Sequence, residues 1–133
     1  MLFKVLIIDD DILYTSVLET ILPHDTFEVI VKNSSQEGLE AVRQVNPDVV
    51  VLDLMMPGLS GWQVCQTIRT FSQVPILIVS AVADSAKILE VLDAGADDYL
   101  LKPTTPGVLT SRLRTLARRA TTNQTHDDAV DEA

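Results

Sequence analysis

Side chains able to do phosphoryl and metal chemistry stand at the ends of apolar runs in this chain. Asp9, Asp10 and Asp11 follow Val5-Leu6-Ile7-Ile8, Asp53 follows Val49-Val50-Val51-Leu52, Ser80 follows Ile76-Leu77-Ile78-Val79, and Lys102-Pro103 follows Tyr99-Leu100-Leu101. Each alone has an ordinary explanation: Asp9 and Asp10 as solvated acids beside a helix start, Asp53 as a turn residue, Ser80 as a cap, Tyr99 as a half-buried sheet residue. Brought together they make a site. Two carboxylates about 4 Å apart repel by roughly 4 kcal/mol at an effective dielectric near 20, so a cluster of them requires a cation. Mg2+ suits the donors, being a hard ion that takes oxygen ligands, keeps several waters and bridges carboxylate to phosphate. A carboxylate held between that ion and a lysine can act as a nucleophile toward a phosphoryl group, the metal and the ammonium stabilising its equatorial oxygens.

This chemistry needs positions almost a hundred residues apart to meet on one edge. The apolar runs before them are short, continuous and rich in β-branched residues, as in strands covered on both faces of a parallel sheet. Weaker strands are predicted over 27–31 and 99–101. Helical spacing occupies the intervals 13–22, 35–45, 62–71 and 85–94. A last helix opens with Thr105 as N-cap and Pro106 in its first turn, carries Leu109, Leu113 and Leu116 on one stripe, and ends near Arg119. Asp84 stands at an N-cap position and Gly95 just past a helix end. Strand and helix alternate five times, an α/β pattern. Open sheets of this kind bind ligands beyond the carboxyl ends of their strands, where the candidate residues lie.

With 133 residues, 47% of them hydrophobic, the chain supports one core. One domain over 1–119 is predicted, followed by a disordered acidic tail or linker over 120–133, where little can be buried. The net charge is −9, nineteen acids against ten bases, a balance that argues against direct nucleic-acid binding, which needs clustered Lys and Arg to displace counterions. The lone Cys65 cannot form an internal disulfide and reads as a small core residue; no signal segment or membrane-length apolar run is present, so a cytoplasmic location is expected. Asp11 reads better as a helix N-cap than as a ligand. His24, in a turn, and His126, in the tail, are poor candidates for a base or ligand, and Trp62 suits partial packing at a helix start.

Five segments, in order and at matching spacing, resemble the response-regulator receiver domains of two-component signalling. They are Ile7-Ile8-Asp9-Asp10-Asp11, Val51-Leu52-Asp53-Leu54-Met55-Met56-Pro57-Gly58, Ser80-Ala81, Ala94-Gly95-Ala96-Asp97-Asp98-Tyr99 and Leu101-Lys102-Pro103. The resemblance implies a CheY-like, flavodoxin-like fold: one doubly wound five-stranded parallel sheet of order 2-1-3-4-5 flanked by five helices. It further implies Asp53 as phospho-acceptor from a sensor histidine kinase or phosphotransfer protein. Asp9, Asp10, Asp53 and the main-chain oxygen of Met55 would hold Mg2+. Ser80 and Lys102 would engage the phosphoryl group, Tyr99 would be the switch aromatic, and the Lys102-Pro103 peptide would be cis. Such a domain promotes only its own phosphotransfer and dephosphorylation. Thr104 departs from the phenylalanine often found after Lys-Pro, which alters packing there and leaves the chemistry intact.

Two other classes fit less well. A small aspartyl phosphohydrolase would use the Asp-x-Asp of Asp9 and Asp11 but leave Asp53 idle, and the chain lacks the length for a substrate-covering cap. A flavin module would want a Gly-, Ser- or Thr-rich phosphate loop where the three aspartates stand. For output, the segment ending Leu113-Arg114-Thr115-Leu116-Ala117-Arg118-Arg119 resembles receivers that precede winged-helix effector domains and dimerise through the fourth helix, fifth strand and fifth helix. Asp97, Asp98 and Arg112 match a charged network of that face. Ile88, where a basic residue is usual, together with Val91 would widen its apolar arc beyond Leu89 and Leu92. A phosphorylation-dependent homodimer, less salt-sensitive than its class, is the expectation.

Overall fold

The computed structural model describes the backbone of residues 2–132 and the side chains of residues 2–120. Ten elements alternate: β1 (Phe3–Ile8), α1 (Ile12–Ile21), β2 (Phe27–Lys32), α2 (Ser35–Val45), β3 (Val49–Leu52), α3 (Gly61–Arg69), β4 (Ile76–Ser80), α4 (Ser85–Asp93), β5 (Asp98–Leu101) and α5 (Pro106–Glu132). The strands form one parallel sheet in the order β2-β1-β3-β4-β5, the order implied by the resemblance. The chain moves to one side of β1 for β2 and to the other for β3, so a crevice opens at the carboxyl ends of β1 and β3, a topological switch point.

Strand side chains alternate between the two faces, and both faces are covered, which is why the runs are continuously apolar. Leu6, Ile8, Val50, Leu52, Ile76 and Ile78 pack under α2, α3 and α4 through Val42, Val64, Ile68 and Val91. Val5, Ile7, Val49, Val51, Leu77 and Val79 pack under α1 and α5 through Leu18, Leu109, Leu113 and Leu116. Each such fully buried side chain contributes about 1.5–3 kcal/mol relative to exposure. Cys65 belongs to the first layer, as expected.

Helix starts are fixed by side chains that accept otherwise unpaired N–H groups. Asp11 caps α1 by accepting from the Tyr14 amide, which bears out its reading as a cap. Ser34 caps α2, Asp84 caps α4, and Thr105 accepts from the Val108 amide at the start of α5. Ser60 and Gln63 form a reciprocal capping box at α3. Gly95, with φ +121°, turns the chain out of α4.

At the end of the sheet away from the strand carboxyl ends, Arg69 at the end of α3 staples two connections. Its guanidinium donates to the carbonyl oxygens of Gly95, Ser72 and Val74 and pairs with Asp97 at 2.9 Å. The same Asp97 oxygen accepts from the Ile76 amide at 2.8 Å.

Within the chain Asp97 pairs with Arg69 and accepts from the Ile76 amide, and Asp98 pairs with Arg112. Two expectations change. Val91 is fully buried against the sheet and contributes nothing to an outer arc; Ile88 and Leu92 are half-buried, and Leu89, 61% exposed, is the apolar residue α4 presents. The helix expected to close near Arg119 continues to Glu132, since neither proline nor glycine follows Gly107 to stop it. The tail reading for 120–133 lies outside the described side chains from residue 121 onward. Among the described residues no helix is long and apolar enough to cross a membrane.

Candidate functional site

The carboxyl ends of β1, β3, β4 and β5 deliver Asp9, Asp53, Ser80 and Lys102 to one place. Parallel register sets this: Ile8 pairs with Leu52, Leu52 with Ile78, and Ser80 with Leu101, so the residues just beyond them end at nearly one level. Backbone bonds continue past the strands, from the Asp53 amide to the Ile8 oxygen and from the Lys102 amide to the Ser80 oxygen. The Lys102-Pro103 peptide is cis. Gly61 makes close packing possible behind the acid: a Cβ there would collide with the Asp53 carbonyl oxygen.

Asp9 and Asp53 are buried and Asp10 is exposed; one carboxylate oxygen from each lies within 4.8 Å of the others. Three hard anionic donors converging around one point, one of them open to solvent, fit a small divalent cation that retains water. The Lys102 ammonium donates to Asp9 Oδ2 at 2.9 Å and lies 3.7 Å from Asp53 Oδ2. It also sits 4.1 Å from the centroid of the Tyr14 ring.

Burial first, and the Asp9 charge second, push the Asp53 carboxyl above the ordinary carboxylate range, against the pull of Lys102 and of hydrogen bonds from Ser80 and the Met55 backbone. Burial alone would lower Lys102. The hydrogen bond to Asp9 and the charges of Asp53 and Asp9 outweigh it and hold the ammonium above its usual value. The cluster therefore combines a basic, partly desolvated carboxylate with a lysine that stays charged.

Ser80 is buried, and its hydroxyl accepts from the Val82 amide. Tyr99 is half-buried and donates its hydroxyl proton to the Val82 carbonyl oxygen. Ser80, at the end of β4, and Tyr99, on β5, thus both bond to Val82 in the loop after β4. The side chain of Met55, two residues after Asp53, is exposed.

Residues 5–114 match the family described as response regulator receiver domain. This chain belongs to that family. The receiver is 44% identical over 116 residues to a probable transcriptional regulator of Guillardia theta, covering 87% of the chain and 46% of that protein. It is 39% identical over 116 residues to the DNA-binding response regulator MtrA of Mycobacterium tuberculosis, covering 87% of the chain and 51% of that protein. The chain spans about half the length of the curated relatives it matches. Among solved structures, the receiver domain of a Francisella response regulator is 32% identical with a TM-score of 0.82, covering 88% of this chain and 98% of that one. A CheY-like receiver domain protein of Methanospirillum hungatei, at 22% identity, TM-score 0.85 and coverage of 92% and 99%, shares the fold.

The receiver site includes residues the sequence reading passed over. Tyr14 is one; its signal was an aromatic in the first turn of a helix whose other large apolar residues are aliphatic, three positions after the capping acid. Ser60, Gln63 and Gly61 are the others, and the Ser-x-x-Gln capping pattern was visible beside the Asp53 loop.

Proposed function

We propose that this two-component receiver domain accepts a phosphoryl group on Asp53 from a sensor histidine kinase or phosphotransfer protein, with Mg2+ bound by Asp9, Asp10, Asp53 and the Met55 main-chain oxygen. The observation that carries the reading is the Asp53 carboxylate, buried and raised in basicity, 3.7 Å from the Lys102 ammonium and clustered with two other carboxylates. Mg2+, when bound, supplies positive charge to the phosphoryl oxygens and offsets the repulsion among the acids. An Asp53 oxygen attacks phosphorus as the bond from phosphorus to the donor nitrogen breaks, giving an aspartyl phosphate and a free imidazole. Lys102 pairs with one equatorial oxygen and Ser80 donates to another once its hydroxyl swings from the Val82 amide. Tyr99 follows Ser80 because both are tied to the same loop, and the new charge favours the arrangement in which Ser80 and Lys102 engage it.

The partner reading is supported by the outer face of α1, next to Asp10. Ile12, Leu13, Val17 and Ile21 are exposed there, and Glu19 is the helix's only charge, a surface suited to an apolar helical donor. The domain promotes only its own phosphotransfer and dephosphorylation, acts in the cytoplasm, and spans 1–119, with 120–133 as a tail or linker to an effector. Incubation with acetyl phosphate and Mg2+, followed by mass spectrometry, tests the assignment. One phosphoryl group is expected on the wild type and none on Asp53→Asn; undiminished labelling of the variant overturns it.

A further inference from the structure

We propose that Tyr14 is a positioning residue for Lys102, its ring face holding the ammonium in the arc between Asp9 and Asp53 where it meets the incoming phosphoryl group. The inference rests on the reading of Asp53 as acceptor and adds a residue to that machinery. Its basis is a closed circuit of contacts that begins and ends on one buried carboxylate. Asp9 Oδ1 accepts from the Asp11 amide at 2.9 Å, and Asp11 Oδ1 accepts from the Tyr14 amide at 3.0 Å. The Tyr14 ring lies 4.1 Å from Lys102 Nζ, which donates to Asp9 Oδ2 at 2.9 Å. Asp9 thereby fixes both the helix start that carries the ring and the ammonium that the ring faces.

The circuit answers a difficulty in the lysine itself. A flexible four-carbon stem allows the head group many positions, and its three donors need partners once it leaves water. Asp9 takes one donor, while Asp53, at 3.7 Å, is beyond hydrogen-bond distance. An aromatic face attracts the cation without accepting a proton in a fixed direction, so it restrains position while leaving donors for another acceptor. A third carboxylate in its place would compete with the phosphoryl group; an aliphatic side chain would leave the ammonium free to turn toward solvent. Tyr14 is half-buried and packs against the buried layer under α1 and α5, which keeps the ring in place.

The test compares Tyr14→Leu and Tyr14→Phe with wild type, using acetyl phosphate labelling and the NMR shifts of the Lys102 ε-protons. Tyr14→Leu is expected to label roughly fivefold more slowly, the equivalent of one cation–π contact, and Tyr14→Phe to match wild type. In wild type and Tyr14→Phe the ε-protons should show an upfield ring-current shift that Tyr14→Leu loses. In a Lys102→Met background, Tyr14→Leu should have no further effect on labelling. Equal rates for Tyr14→Leu and wild type overturn the proposal, as does an equal slowing in both backgrounds, which would mean that the ring acts through packing. If labelling in the Lys102→Met background is too slow to measure, recovery by Tyr14→Phe together with the ring-current shift decides: absence of either overturns the proposal. Labelling of wild type at a residue other than Asp53 would instead defeat the phospho-acceptor assignment, and a missing ring-current shift would defeat the positioning role separately.

Discussion

Replacing Lys102 with methionine should destabilise the metal-free protein by about 3 kcal/mol, and Mg2+ should return much of that loss. In the folded chain the ammonium is 2.9 Å from Asp9 Oδ2, and the two side chains are 19% and 3% exposed. At an effective dielectric near 20 the gross attraction at that distance is roughly 6 kcal/mol, with about 4.5 more from Asp53 at 3.7 Å. Most of this is offset by desolvation of the ions, so the pair adds little net stability. The asymmetry matters more: methionine preserves the stem's packing but leaves Asp9 buried and facing another carboxylate. Removing one partner of a buried pair in this way costs about 3–5 kcal/mol, and partial exposure of Asp53 and Lys102 puts this case at the low end. Urea unfolding followed by the fluorescence of Trp62, the only tryptophan, would measure the difference in chelator and again in millimolar Mg2+. A divalent ion among Asp9, Asp10 and Asp53 supplies the charge the variant lacks, so the gap between variant and wild type should narrow with Mg2+. A loss below about 1 kcal/mol in chelator, or a gap unchanged by Mg2+, would refute the reasoning that this lysine holds a buried anion in place.

Asp10→Ala should suppress labelling in Mg2+ yet be at least as stable as wild type in chelator, because it removes one member of a crowded acid cluster; urea midpoints in both buffers check this. Since burial and Asp9 raise the Asp53 carboxyl above its unfolded value, the folded state binds the proton more tightly. Its contribution to metal-free stability is therefore present below the ordinary carboxylate range and lost as pH rises through the raised folded value, a slope that unfolding titrations should find missing in Asp53→Asn. Gly61→Ala, whose Cβ would collide with the Asp53 carbonyl oxygen, should cost about 1–3 kcal/mol and slow labelling by displacing the Asp53 backbone; wild-type stability and rate would count against the close approach. Phosphorylated protein should sediment as a dimer through the α4–β5–α5 face, little affected by salt and weakened by Leu89→Lys; a phosphorylated monomer would show that this face is read by a different protein.

Much of the fold was legible because β1, β3 and β4 are buried on both faces and the chain must spell that out with unbroken β-branched runs. Asp11, Asp84 and Thr105 were legible for a local reason: a cap bonds to an amide two or three residues away, and the sequence displays both partners. The site followed from those elements, since a residue directly after a parallel strand can only project from the sheet's carboxyl edge. Arg69 was invisible because three of its four partners are main-chain carbonyls in separate connections, and any residue type carries a carbonyl. The pairing of Asp97 with Arg69 was hidden for the same reason, the two standing 28 residues apart in the chain. Val91 was misplaced because α4 has apolar residues at 88, 89, 91 and 92, and periodicity alone leaves the direction of so broad an arc open by one residue. The Tyr14 ring over Lys102 joins positions at opposite ends of the chain, a meeting that depends on β1 and β5 sharing one sheet.

The two ends of β4 are fastened with unequal strength. At one end, the Arg69 guanidinium and the Asp97 carboxylate lock the loops entering β4 and β5 with charge-assisted bonds to backbone; at the other, the loop after β4 is held by neutral bonds among Ser80, Val82 and Tyr99. That strand and the loop after it therefore resemble a door hung on one jamb, whereas the far end of β5 is tied by Lys102 to Asp9. A small force at the latch side, such as a new anion beside Ser80, turns the free edge while the hinge stays put. The displacement then grows along α4 toward its exposed start, which makes the N-terminal turn of that helix, and not the sheet beneath it, the place where a passing signal would be largest.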